Sequence, residues 1–568
     1  LQRIAPLAEA RRAMPLPLTP AQQRQWFLWK MDTRSTAYHV QGALRITGPL
    51  DAGALRAAVQ GLAERHGSLR TVFNARPDGE VEQRLDPQGR LELQWLDAAQ
   101  GDSAQRQEHA AQWLQALCAQ PFDLQQGPLA RAALVRLQAH EHILALVMHH
   151  IVSDGASMQI LLDDLAALYS GAPNSGPALQ YVDYAVWQRE QAQQAQQGQQ
   201  ASLAYWLERL QVPPGEAQPV LALPTDHPRQ ALARYRAGRH GFELSGATLQ
   251  ALRAQARQQA DTLFTLLLAG WQALLYRYTG QEDIRVGVPV ANRAHADLQG
   301  VVGFFVNTLV LRNRIDGRMR LADVLQQARE AAQGAQAHHA LPFEQLVEAL
   351  QPQRSLAHSP LFQVLFNHLV EDWHALQQVP GWTVAGQPLA AADAQFELTV
   401  EVRERSDGSL GISLVYAREL FEPGSMQRLA AHYAAMLEAL AHQPQCAVDE
   451  VPLLGPEERQ QLAAWSCNGQ VLHGGDIVHR RFEQQVARSP DAPALCLGEA
   501  TLGYAELNAR ANRLAHHLIA SGVRPGVPVG IAMERSIEMV VGLLAIMKAG
   551  AAYVPIDPEH PADRIAYM

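Results

Sequence analysis

Two adjacent imidazoles, His149 and His150, are followed four residues later by the carboxylate of Asp154 and then by Gly155, within "HILALVMHHIVSDGASMQILLDDLAALYSG" (142–171). A neutral imidazole close to its working pKa can accept a proton from an attacking nucleophile, so the pair is a candidate for general acid–base chemistry. Three assignments compete. A zinc site is disfavoured, because metal-binding pairs on a strand favour His-x-His and no further ligand cluster lies nearby. A pair of satisfied core histidines is the plain structural alternative, since His is so often partly buried. A catalytic imidazole needs support from the rest of the chain.

The elements that must position these groups are legible locally. Residues 142–151 are apolar enough for a strand buried on both faces. After Gly155, the spacing of Ile160, Leu161, Leu165, Leu168 and Tyr169 predicts an amphipathic helix, with Ser153 or Asp154 as its N-cap. The histidines therefore sit at a strand-to-helix turn, where α/β proteins commonly expose chemistry. Side chains alternate along a strand, so His149 and His150 cannot both face one cavity. One imidazole acts; the other packs or orients.

The whole chain sets the frame. It has 568 residues, 48% hydrophobic and 18% charged, enough apolar material for several domain-sized cores. A net charge of −9 argues against an electrostatic nucleic-acid binder. Lys30 and Lys548 are the only lysines, which together with abundant Ala reads as genomic composition bias. Cys118, Cys446, Cys467 and Cys496 form no CxxC and no metal spacing, so no metal is expected, and scattered thiols fit a reducing, cytoplasmic setting. The longest apolar stretches, such as "MVVGLLAIM" (539–547), are too short to span a bilayer, and no signal peptide opens the sequence. Strands and helices alternate throughout, giving an α/β or α+β class. The Gln-rich run 188–210, midway along the first region, reads as an exposed helix with a flexible linker as the second reading, and a joint is expected around 448–470.

Further motifs follow a fixed order: "LTPAQQRQWFL" (18–28), "RHGSLRTVF" (65–73), "HHIVSDG" (149–155), "YVDYAVW" (181–187), "VGFFVNTLVLR" (302–312), "LPFEQLVE" (341–348) and "SPLFQVLFN" (359–367). Together they resemble the seven motifs of the condensation domains of non-ribosomal peptide synthetases, relatives of chloramphenicol acetyltransferase that carry HHxxxDG. Gly67 replaces the Glu usual in the second motif. The last hundred residues are similar to the start of an adenylation domain, through "LGYAELNARANRLAHHL" (502–518) and "MKAGAAYVPIDPEHPADRIAYM" (547–568). The phosphate-binding loop that follows in that family is absent, so an incomplete ATP site and no adenylation activity are expected. His516 and His517 lack a following xxxDG and read as surface or packing residues.

The resemblance implies an α/β (α+β sandwich) fold of two chloramphenicol-acetyltransferase-like lobes forming a V-shaped pseudo-dimer, with an active-site tunnel between them. The expected division is a linker at 1–14, an N-lobe at 15–185, a C-lobe at 186–450, a linker at 451–475 and an incomplete adenylation N-terminal subdomain at 476–568. The implied activity joins a donor peptidyl or acyl thioester to the amine of an acceptor aminoacyl thioester. Both ride on 4′-phosphopantetheine arms of upstream and downstream carrier proteins. The domain itself is expected to bind no cofactor and to act as a monomer beside its adenylation domain. His150 is the implied catalytic residue and His149 its packing neighbour. Asp154 is expected to brace the loop through an ion pair with Arg70, and Gly155 to allow tight backbone geometry and an oxyanion-facing amide. Ser157 and Asn307 are candidates for lining the tunnel, the alternative for Asn307 being a strand-end role.

Rival functions share parts of this pattern. A coenzyme A-dependent acyltransferase would not continue into an adenylation-like tail, nor would an epimerisation domain be followed directly by one. A heterocyclising relative would carry DxxxxD. A lipid-initiating starter domain and a non-catalytic recruitment platform remain as alternatives, the intact HH-D-G set counting against the second. Ala156, where domains joining two L-residues often carry Trp, leans toward a D-ended donor.

Overall fold

The computed structural model describes all residues except 1–2, 175, 195, 214–215, 230–234, 294, 351–358, 390–392, 406 and 468–476, with backbone alone for the rest of 192–199. It divides into two compact units, Leu1–Arg459 and Gln460–Met568.

The apolar run around the histidines forms strand Glu141–His149, central in a five-stranded sheet. Its neighbours are His39–Thr47 and Ala130–Gln138, with Leu93–Asp97 beyond the latter. Alternation sends Leu144, Leu146 and Met148 into one apolar core and Ile143, Ala145 and Val147 into another. Helices Ala52–Arg65 and Gly155–Tyr169 close the first core, and helix Ser103–Cys118 closes the second. That double covering is why the strand reads as continuously apolar.

A six-stranded sheet forms the other lobe, in the order Val306–Arg314, Asp283–Ala291, Val364–Glu371, Leu398–Arg405, Leu410–Ala417, Ala237–Glu243. Leu398, Val400 and Val402 point into a large core with helices Leu263–Thr279, Leu321–Ala337 and Pro423–His442. Their neighbours Thr399, Glu401 and Arg403 face the space between the sheets.

A division at residue 185 is not a clean cut. Strand Thr383–Gly386, from the second half of the chain, pairs with His39–Thr47 and completes the first sheet. Trp382 fastens this crossing: its ring is buried in the first lobe and its Nε1–H donates to the Pro49 carbonyl at 2.9 Å. Gly48 sits beside it with φ +135°, and a Cβ there would lie 2.0 Å from the Gly381 carbonyl oxygen. The crossing is close enough to exclude any side chain.

Residues 3–14, within the expected linker, pack against the larger unit. Ile4 is buried in a cluster with Leu179, Tyr181 and Phe305, and Arg12 pairs with the fully buried Asp183 at 2.5 Å. Sparse periodicity hid this packing, because the segment lies on the lobe as a single helical turn and extended chain. The Gln-rich run falls in two helices, Tyr181–Gln194 and Gln196–Leu210. Part of the second expected linker, 468–475, lies outside the described residues.

The smaller unit holds helices Val478–Arg488, Tyr504–Ala520 and Ile537–Lys548 around a core that includes Leu502, Leu507, Ala511, Val541 and Leu544. Strand Pro528–Ile531 runs parallel to Ala552–Pro555. His516 and His517 are exposed on the middle helix.

Candidate active site

A cavity of about 1120 Å³ lies between the two sheets. It is large even for a small-molecule site, where several hundred Å³ is usual. The first lobe contributes Arg24, Tyr38, Gly42, His150 and Met158 to its wall, and the second contributes Phe304, Thr308, Asn367, Leu369 and Glu401.

The strand ends at His149 and a single 3-10 turn, His150–Val152, carries the chain into helix Gly155–Tyr169. His149 is buried, and its Nδ1 accepts the Ile151 N–H at 3.1 Å. Its ring lies against His39 and Phe122. Burial holds its pKa well below the ordinary imidazole range, with His39 and His150 adding to that.

His150 lines the cavity, with Phe304 of the other lobe 5.2 Å away between ring centroids. Its Nδ1 lies 3.0 Å from the Ser153 carbonyl oxygen. A carbonyl only accepts, so Nδ1 carries the proton and Nε2 presents a lone pair. Burial lowers the His150 pKa; the Ser153 carbonyl and Asp154 pull the other way, and Arg24 reinforces the lowering. The net result is a neutral imidazole with a free basic nitrogen at neutral pH.

Asp154 is the N-cap of the helix and is completely buried. Its Oδ1 accepts the Ser157 N–H at 2.7 Å and a hydrogen bond from Arg293 Nη2 at 3.0 Å, and its Oδ2 accepts the Phe305 N–H at 3.1 Å. The brace expected of Asp154 therefore exists, but Arg293 and not Arg70 supplies it. Arg70 ends the short 3-10 turn Gly67–Arg70, where its Nε donates to the Ala63 carbonyl at 2.6 Å and its Nη1 approaches the Asp86 carbonyl. The head of the helix faces the second lobe, so its buried charge is met from there. Arg293 is itself buried, donates from Nη1 to the Leu298 and Val301 carbonyls, and lies over the Phe305 ring.

Three further expectations change. Ser157 does not line the cavity: it is fully buried, accepts the Gly303 N–H at 3.0 Å, and lies within hydrogen-bonding reach of Asp154 and Arg293. Asn307 does not line it either. Its Nδ2 donates to the His339 and Leu341 carbonyls at 2.8 and 2.7 Å, and its Oδ1 accepts the Phe343 N–H at 3.0 Å. It stitches the strand to the start of helix Phe343–Leu350, the strand-end alternative. Gly155 lines the cavity but is not needed for backbone geometry, since an added Cβ would make ordinary contact with Leu369 at 3.6 Å. The amides of Gly155 and Ala156 open the helix and have no protein acceptor among the described residues.

Arg293 and Tyr38 are the residues that sequence reasoning missed. Arg293 stands in "VANRAHADLQG", with nothing to distinguish it in an arginine-rich chain. Arg24 lies inside the quoted first motif, and its guanidinium sits 3.6 Å from Glu344 and over Phe343 at the cavity wall. Among the described residues no group of three or more metal-ligating side chains converges, and no helix is long and apolar enough to cross a membrane.

Two sheets with a histidine-lined cavity between them, crossed by a strand from one lobe to the other, define a two-lobed, chloramphenicol-acetyltransferase-like fold. The family model for the condensation domain matches residues 13–463 and that for AMP-binding enzymes matches residues 482–568, so the chain belongs to the condensation-domain family and runs on into an AMP-binding stretch. Two of the linear gramicidin synthase proteins of Brevibacillus parabrevis are 39% and 40% identical to it, over 99% and 98% of this chain. The chain spans 11% of the length of each. Among solved structures, the X-domain from teicoplanin biosynthesis aligns over 80% of this chain and 100% of its own, with a TM-score of 0.69 at 26% identity. A four-domain nonribosomal peptide synthetase bound to AMP and glycine aligns over 100% of this chain and 43% of its own, with a TM-score of 0.75 at 23% identity. Condensation domains are the amide-forming acyltransferases of these synthetases.

Proposed function

We propose that this chain joins a donor peptidyl or acyl thioester to the amine of an acceptor aminoacyl thioester, each presented on the 4′-phosphopantetheine arm of a carrier protein, and that His150 is its working base. The observation that carries this is the neutral His150 ring, Nδ1–H held by Ser153 and Nε2 without a partner among the described residues, on the wall of a cavity of about 1120 Å³ between the two lobes. The partners are an upstream donor carrier, a downstream acceptor carrier and the adjoining adenylation domain. Four free thiols fit a reducing cytoplasm.

The amine attacks the thioester carbon, its proton passing to Nε2 as the bond forms. The carbonyl oxygen takes up charge beside the open amides at the helix start. Collapse expels the pantetheine thiolate, which recovers the proton as a thiol. Bringing the two tethered substrates together contributes most of the acceleration, on the order of 7 kcal/mol or more at best. An α-amine of ordinary pKa near 7.7–8.0 is only partly neutral near pH 7, so His150 orients the neutral form and receives its proton as the bond forms, a role worth roughly 10²–10⁴-fold. Asp154 takes no proton in this scheme; it locks the helix start to the second lobe.

The test loads donor and acceptor carriers separately, mixes them with the chain, and follows the acceptor by mass spectrometry. Amide product from the intact chain and none from folded His150→Ala supports the assignment. Equal product from both removes His150 from the chemistry, and no product with any loaded pair favours a recruitment platform. D- and L-ended donors compared side by side report the donor stereochemistry, for which Ala156 favours D.

A further inference from the structure

Several phenols packed inside the larger unit have partners. Tyr181 donates to the Phe304 carbonyl at 2.6 Å, Tyr433 to the Leu267 carbonyl at 2.8 Å, and Tyr278 pairs with His432. That is the ordinary condition of a hydroxyl packed inside a protein. Tyr38 lacks such a partner, as do the buried Tyr184 and Tyr416 among the described residues, but of these three it is Tyr38 that lines the cavity. Its ring belongs to the cavity wall, its hydroxyl has no protein partner among the described residues, and that oxygen is not among the sealed-off polar atoms.

The backbone explains where Tyr38 points. His39 is paired with His149 across the antiparallel strands, and the His150 N–H donates to the Tyr38 carbonyl at 2.8 Å. The register thus runs one step past the strand end and sets Tyr38 directly opposite His150. Both residues lie just beyond the ladder, Tyr38 in a turn and His150 in the 3-10 turn, tied by that backbone hydrogen bond. Both side chains reach the same cavity, while His39 and His149 beside them meet edge to face, with ring centroids 6.2 Å apart.

We propose that the Tyr38 hydroxyl is a substrate-facing donor that holds the donor carbonyl oxygen as it becomes an oxyanion, on the same wall from which His150 receives the amine proton. This rests on the function proposed above. The two groups are complementary. His150 Nε2 offers only a lone pair, which suits an N–H. A phenol offers an O–H, which suits an oxygen gaining charge and would be wasted on a nucleophile whose lone pair must stay free. Burial raises the Tyr38 pKa, opposed by Arg24, so the proton stays on oxygen throughout the working range. The step balances. The amine nitrogen bonds to carbon while the C=O π pair moves to oxygen and is held by Tyr38 O–H. The pair then returns, the C–S bond breaks, and the amine proton ends on the thiol through His150, with Tyr38 unchanged.

Tyr38→Phe removes the oxygen and keeps the ring. The full chain is assayed with the donor and acceptor carrier pair that gives most product with wild type. The expected result is a fall in kcat of about 10²-fold, in the range for one lost oxyanion donor. KM for the loaded carriers should change less than threefold, the melting temperature should hold, and the acid limb of the pH profile should stay in place. Wild-type kcat in Tyr38→Phe, or a rise in KM alone, overturns the proposal while leaving the condensation reading intact. A wild-type chain that forms no amide with any pair fails that reading instead.

Discussion

Replacing Asp154 with alanine separates a structural brace from a catalytic carboxylate. Asp154 is fully buried, and its removal strands the Ser157 and Phe305 amides and takes the carboxylate away from Arg293, whose side chain is only 4% exposed. Breaking one partner of a buried ion pair typically costs about 3–5 kcal/mol. The carbonyls of Leu298 and Val301 still face Arg293 Nη1, which places the expected loss toward the lower end, near 3 kcal/mol. Urea unfolding of the full chain, followed by tryptophan fluorescence, should show the transition of the larger unit moving to clearly lower denaturant. Asp154→Asn, which keeps an N-cap acceptor but not the charge, should fall in between. Replacing both partners, Asp154→Leu with Arg293→Met, should recover much of the loss, because an apolar pair leaves no buried charge. An Asp154→Ala chain with wild-type unfolding and abolished condensation would refute the brace and return the carboxylate to the chemistry.

Other consequences can be checked more briefly. His150→Gln should lower kcat by roughly 10²–10⁴-fold without moving the melting temperature. Because its pKa is depressed, activity referred to the neutral fraction of the acceptor amine should hold as pH falls through 6.5 and drop only below the ordinary imidazole range; a drop centred above 7 in that corrected profile would contradict a neutral base. His39, pushed by burial to about 4, binds its proton in the unfolded chain near 6.5 but not in the folded one. Stability should therefore fall between pH 6.5 and 4, by about 3 kcal/mol from this group, and His39→Gln should flatten that slope in denaturation titrations. Asn307→Ala leaves two carbonyls and an amide unpaired and should cost about 1–3 kcal/mol with kcat per folded molecule kept. Gly48→Ala should destabilise the crossing at Trp382, seen as faster hydrogen exchange in strand Thr383–Gly386.

What the sequence by itself determined is what neighbours along the chain decide. An apolar run alternating into two cores, a turn, and an aspartate opening a periodic helix need only backbone stereochemistry and burial. Strand alternation already left room for one working imidazole, and the ordered motifs pointed to the family. The tertiary structure alone decided the partners. A buried carboxylate needs a cation, but any arginine satisfies that need, and the one that arrives is Arg293, 139 positions away on the facing lobe. Ser157 and Asn307 carry side chains equally able to meet a substrate or a backbone, and packing assigned both to backbone. The same holds for residues 3–14, whose ordering rests on a buried Ile4 and an ion pair to Asp183. Tyr38 became visible only once the register set it opposite His150, because cross-strand neighbours lie far apart in sequence and leave no period to read.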